Sequence, residues 1–142
     1  MRYLICILLF VLPPVLSFGA DVQISIGDPE TAAIRKFTTT GSGNIASSVS
    51  ITTSGTEVWE VMSVNLHLSA AGGANNLTIT KDAGAGSAYD AVVLTQDMTT
   101  VTDLIQLYEP GELVLDNDDQ LDFAWTNGSG RTYGLEVIYK MR

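Results

Sequence analysis

The sequence predicts an all-β fold, an antiparallel two-sheet β-sandwich of which the jelly roll is one arrangement. Three observations lead there. Apolar side chains recur at every second position over 58–68, 121–125 and 133–141, and no stretch sustains the helical period. The apolar runs are short, and clusters of Gly, Asn, Asp and Pro punctuate them at regular intervals. The 142 residues are enough for one domain with a modest core.

The first 20 residues stand apart. Arg2 gives a positive start, Tyr3 to Phe18 is apolar apart from Pro13, Pro14 and Ser17, and small residues precede the acidic Asp21. This layout predicts a cleavable signal peptide over 1–20, cut after Gly19 or Ala20. A membrane anchor fits less well, because the stretch falls short of the roughly 20 apolar residues that span a bilayer and two prolines interrupt it. The expected destination is the cell exterior, a cell surface or a virion, with no membrane span after cleavage. Cys6, the sole cysteine, would leave with the leader, so the mature chain would have neither a disulfide nor a thiol. Loss of Arg2 leaves six of the seven basic residues against sixteen acidic ones. Such a chain lacks the cations that displace counterions from phosphate, which excludes nucleic acid as a partner.

Residues 21–57 are rich in Ser, Thr and Gly, with Phe37 the only aromatic. They read as the first strands of the domain or as an N-terminal arm that adds a strand to a neighbouring subunit. Asp28-Pro29-Glu30 has the form of a helix start, opening a short helix or an extended segment. Within this region Ile45, Ser47, Val49 and Ile51 alternate with small polar residues, as in a half-buried strand.

The β-sandwich core is expected over 58–142. Val58, Met62, Val64, Leu66 and Leu68 fall on one side of a strand, with Trp59, Ser63, Asn65 and His67 on the other, and Glu60 interrupts the apolar side. Weaker strands follow at Asn76–Lys81, Tyr89–Thr95, Leu104–Tyr108 and Glu112–Leu115. Leu121, Phe123 and Trp125, then Tyr133, Leu135, Val137, Tyr139 and Met141, form two clear alternations. The predicted core is Met62, Val64, Leu66, Leu121, Phe123, Trp125, Tyr133, Leu135 and Val137. Turns fall at 71–75, 82–87, 109–111, 116–119 and 127–130.

Catalytic chemistry finds little to work with. His67 is the only histidine and sits on the polar side of its strand, and no Gly-x-Ser-x-Gly elbow accompanies it. Zinc would need cysteines or a second histidine. The glycines at 84 and 86 open no helix and precede no Lys-Ser/Thr, unlike a phosphate loop. Sixteen acids make a carboxylate pair easy to find by chance, so their number does not point to a glycosidase. The predicted protein is not an enzyme and needs no cofactor. Asp116, Asp118, Asp119 and Asp122 form one candidate site, since four carboxylates in seven residues could ligate calcium. Their spacing is not that of an EF-hand, because Leu121 stands where glycine is required, and a turn held by side-chain to backbone hydrogen bonds is the alternative. Trp59, on the polar side of the alternation, is a second candidate, an exposed platform for stacking a sugar. Val61 beside it suits a buried second sheet face or a subunit contact equally well. Asn76-Leu-Thr78 and Asn127-Gly-Ser129 match the glycosylation sequon.

The segment Glu109-Pro-Gly-Glu-Leu-Val-Leu-Asp-Asn-Asp-Asp-Gln-Leu-Asp-Phe-Ala-Trp-Thr-Asn127, followed by Gly130-Arg-Thr-Tyr-Gly-Leu-Glu-Val-Ile-Tyr139, resembles the closing strands of small β-sandwich proteins that decorate tailed-phage capsids or form accessory virion parts. The resemblance covers about the C-terminal half and lies in its rhythm of strand, turn and strand. It implies a homo-oligomer in contact with other virion or surface proteins. A signal peptide departs from that pattern and keeps an exported surface or filament subunit beside it. Strand-donating pilins are less similar, since they carry a disulfide. The functional expectation is a non-enzymatic, self-associating structural protein. The alternative is a secreted, calcium-dependent carbohydrate-binding module that uses Trp59 and the acidic turn.

Overall fold

The computed structural model describes residues 33–50 and 57–142. The expected signal peptide and the Asp28-Pro29-Glu30 segment lie outside them. Among the described residues nine strands follow one another: β1 (Ile34–Gly41), β2 (Ile45–Ser50), β3 (Trp59–Leu68), β4 (Asn76–Asp82), β5 (Ala91–Asp97), β6 (Asp103–Leu107), β7 (Val114–Leu115), β8 (Gln120–Trp125) and β9 (Tyr133–Met141). A single 3-10 turn at Ser87–Tyr89 precedes β5. Among the described residues no helix is long and apolar enough to cross a membrane.

The strands form two antiparallel sheets that pack face to face. One runs β1-β9-β3-β6, with the short β7 also on β3; the other runs β2-β8-β4-β5. Without β7, the eight remaining strands have the order of a jelly roll, with β4 and β5 the one consecutive pair that shares a sheet. Successive strands mostly sit in different sheets, so pairing is dominated by distant segments such as β1 with β9 and β2 with β8. Within 33–50 the chain therefore builds the first strands of its own sandwich. Ile34 pairs with Lys140 and Gly41 with Tyr133 at the two ends of β1.

Inward side chains of both sheets make one core. β8 gives Leu121, Phe123 and Trp125; β4 gives Leu77 and Ile79; β2 gives Ile45. Opposite them stand Val64, Leu66 and Leu68 of β3 with Leu135 and Val137 of β9, and Met98, Leu113 and Leu115 join the same cluster. Tyr133, expected in the core, is only half-buried at its margin.

Two sequence expectations fail at the start of β3. Met62 was assigned inward and is 39% exposed, whereas Trp59 and Val61, assigned outward, are 8% and 1% exposed. The cause is a β-bulge. Val61 faces Tyr139 and Ser63 faces the next partner, Ile138, so Met62 is an extra residue in the ladder. An extra residue reverses which parity points inward. Before the bulge the odd positions Trp59 and Val61 are buried; beyond it the even positions Val64, Leu66 and Leu68 are.

Asn127 closes one end of the sandwich. It is 6% exposed. Its side-chain amide donates to the carbonyls of Ser42, Gly43 and Arg131 at 3.1, 3.1 and 2.6 Å, and its Oδ1 accepts from the Arg131 amide at 2.9 Å. One side chain thus ties the β1–β2 turn to the β8–β9 turn. Asn127→Ala removes these bonds; their partners Ser42 and Gly43 are exposed and Arg131 is half-buried, so each bond is worth its net contribution of about 0.5–1.5 kcal/mol. The expected loss is about 2–3 kcal/mol in urea denaturation, discounted for water reaching the turn. A midpoint equal to wild type would show that the network carries no net stability.

Candidate interaction surface

The outer face of the β1-β9-β3-β6 sheet gathers the features that the core does not use. Antiparallel partners share a face, so the ladders fix its rows. Lys36, Ile138, Ser63 and Leu107 form one row; Thr38, Glu136, Asn65 and Ile105 the next; Thr40, Gly134, His67 and Asp103 a third. Across most of the face the side chains are polar and paired. Lys36 Nζ lies 3.2 Å from Glu136 Oε2, and Asn65 donates to Glu136 Oε1 at 3.3 Å. His67 Nδ1 and Asp103 Oδ1 are 2.6 Å apart in solvent. That contact is the main cause holding the Asp103 carboxyl below its usual range. The sole histidine is therefore an exposed partner of a carboxylate on a neighbouring strand.

Toward β6 the face turns apolar. Ile105 is 69% exposed and Leu107 67%, and the bulge turns Met62 to the same side. Ser63, between Ile138 and Leu107 in its row, is buried although it points outward. β6 is also an edge: among the described residues no strand pairs with its far side. The chain reveals this patch in Leu104-Ile-Gln-Leu107, where apolar residues occupy both parities and one sheet face cannot bury them all. By period alone the run reads only as a short strand.

A cleft of about 350 Å³ adjoins the patch, lined by Glu60, Met62, Leu107, Tyr108, Pro110 and Lys140 among others. Glu60 lies at its base, 4% exposed. Its Oε2 is 2.5 Å from Arg142 Nη2, and its Oε1 accepts from the Gly111 amide at 2.6 Å. The acid that interrupts the apolar side of the sequence pattern thus anchors the Pro110-Gly111 loop and the C-terminal residue. Burial, and then the charge of Glu112, push the Tyr108 phenol up, so it stays protonated. Its buried Oη has no hydrogen-bond partner among the described residues.

The acidic turn is built differently. Asp119 is 6% exposed and binds inward: Oδ2 is 2.8 Å from Lys81 Nζ and accepts from the Asp116 amide at 3.0 Å, while Oδ1 accepts from the Gly84 amide at 3.1 Å. A Cβ at Gly84 would stand 2.6 Å from the Asp118 Cβ, so only glycine lets the two loops approach this closely. Asp118 itself takes a left-handed φ of 68°, a conformation that aspartate tolerates in turns. Asp122 sits on β8, two rows in from its first residue and opposite Thr80. Burial first, then the charges of Asp82 and Asp90, push its carboxyl up. Among the described residues no three His, Cys, Asp or Glu side chains are grouped to hold a metal ion. The structure thus does not gather Asp116, Asp118, Asp119 and Asp122 into one ligand set, and Asp119 is engaged by Lys81 and two amides.

Trp59, the other candidate, offers no open face. Its ring stacks on Tyr139 at 4.3 Å between centroids with 20° between planes. Of the two sequons, Asn76 is exposed at the start of β4, whereas Asn127 is buried in the network described above. No protein-family profile matches the chain, and no curated protein matches it in sequence.

Proposed function

We propose that the protein is a non-enzymatic structural subunit that self-associates through the outer face of its β1-β9-β3-β6 sheet, on a virion or a cell exterior. The observation that carries this reading is the apolar patch of Met62, Ile105 and Leu107 beside an unpaired edge strand. Single exposed apolar residues are ordinary, but a contiguous set at an open edge favours association. Jelly rolls serve both capsid and lectin domains, so the fold does not choose between them. The buried ring of Trp59 removes the main support for stacking on sugar. The location on a virion or cell surface rests on the leader and on the resemblance of residues 109–139.

Ile105→Lys and Leu107→Lys place charges on the patch without touching the core. Substitutions at such exposed positions change stability by about 0.5 kcal/mol or less. The expected result is a wild-type oligomer in light scattering and a folded monomer for the double variant. A wild-type chain that stays monomeric at high micromolar concentration would overturn self-association.

A further inference from the structure

We infer that the apolar cleft and edge of β6 receive residues 21–32 of a second copy, so that the subunits join by an exchanged N-terminal segment. This deepens the self-association reading and rests on it. The segment is Asp21-Val-Gln-Ile-Ser-Ile-Gly-Asp-Pro-Glu-Thr-Ala32. Val22, Ile24 and Ile26 recur with the period of a strand, matching the alternation of an edge that pairs through its backbone and selects through alternate side chains. Set antiparallel to β6, Val22 falls opposite Leu107 and Ile24 opposite Ile105, the two most exposed apolar side chains of that strand. Tyr108, whose buried Oη has no hydrogen-bond partner among the described residues, lines the cleft where the segment would enter.

Geometry favours a second copy over the same chain. β1 begins at the Lys140 row, near the end of the sheet where β6 finishes at Leu107. A segment of the same chain antiparallel to β6 would run away from that end, then double back past two strands to enter β1. Twelve residues extended reach about 40 Å, which lets the segment leave β1 and meet a neighbour without that return.

The test mixes two variants of the chain from residue 21 to 142. Ile24→Asp/Ile26→Asp disables the segment and leaves the cleft; Leu107→Lys disables the cleft and leaves the segment. Each alone is expected to be monomeric. Their equimolar mixture should form a 1:1 heterodimer, because one working segment meets one working cleft. Circular dichroism and urea midpoints establish that both variants are folded. If the segment variant remains as oligomeric as wild type while Leu107→Lys dissociates, this proposal fails and association through the sheet face stands. If both variants are monomeric but do not complement each other, exchange is overturned. A monomeric wild type would overturn both readings.

Discussion

Phe123→Ala is expected to lower the free energy of unfolding by about 3–5 kcal/mol, the range for truncating a buried phenylalanine. Phe123 is 2% exposed on β8, an interior strand with Ser47 of β2 on one side and Ile79 of β4 on the other. β4 is held between β8 and β5, so it cannot collapse freely into the space left by the ring. A cavity that persists costs more than the lost transfer energy alone. Domains of this size are stable by about 5–15 kcal/mol in total, so the variant should be near its limit at room temperature. Urea denaturation followed by tryptophan fluorescence reads the effect, since Trp59 and Trp125 belong to the same core cluster. Val92→Ala on β5, where the side chain is 62% exposed, is the matched control and should shift little. Equal midpoints for Phe123→Ala and wild type would remove Phe123 from the core.

That residue was legible from the alternation alone, as were Leu121, Trp125, Leu135 and Val137. Each lies on a strand that carries no extra residue of its own, so period two translates directly into inside and outside. β3 shows where this reasoning stops. The pattern over 58–68 looks continuous only because both sides of the bulge carry apolar residues, and no residue in the run marks the extra position. The misplacement of Met62, Trp59 and Val61 follows from that single step. It also inverted the functional candidates, presenting the stacked Trp59 as open and hiding the outward Met62.

The surface was less legible than the core for a related reason. Whether Ile105 and Leu107 are exposed depends on whether another strand covers β6, a matter of topology rather than local pattern. Glu60 and Arg142 lie 82 positions apart and meet only because β9 pairs with β3. The acidic turn gave a composition without a geometry. Four aspartates suggested a shared cation, yet among the described residues no three such side chains are grouped to hold one. The cation that Asp119 meets is Lys81, which arrives from β4 through the pairing of β4 with β8.

Asp119→Ala is expected to cost about 3 kcal/mol at neutral pH, because it removes one member of a largely buried pair and leaves the other charged. Lys81 and Asp119 side chains are 24% and 9% exposed. Lys81 would keep only its bond to the Val114 carbonyl at 2.7 Å, and the amides of Gly84 and Asp116 would lose their acceptor. The effect should depend on pH in a direction the site fixes. Burial raises the Asp119 carboxyl, but the hydrogen bonds from Lys81, Asp116 and Gly84 and the Lys81 charge outweigh it, and the group ends below its ordinary value. A carboxylate lowered on folding contributes fully above its unfolded value of about 3.9 and loses that contribution as pH falls through the folded value. The gap between wild type and Asp119→Ala should therefore be widest near neutrality and narrow below about pH 4. Asp122 runs the opposite way. Its carboxyl is raised by burial and by Asp82 and Asp90, so ionising it opposes folding as pH climbs past about 4. Asp122→Asn should accordingly stabilise the neutral protein and lose that advantage in acid. Urea midpoints for both variants at pH 3 and pH 7 measure the two trends together. A destabilisation by Asp119→Ala that is equally large at both pH values would mean that its carboxylate is not what holds the turn.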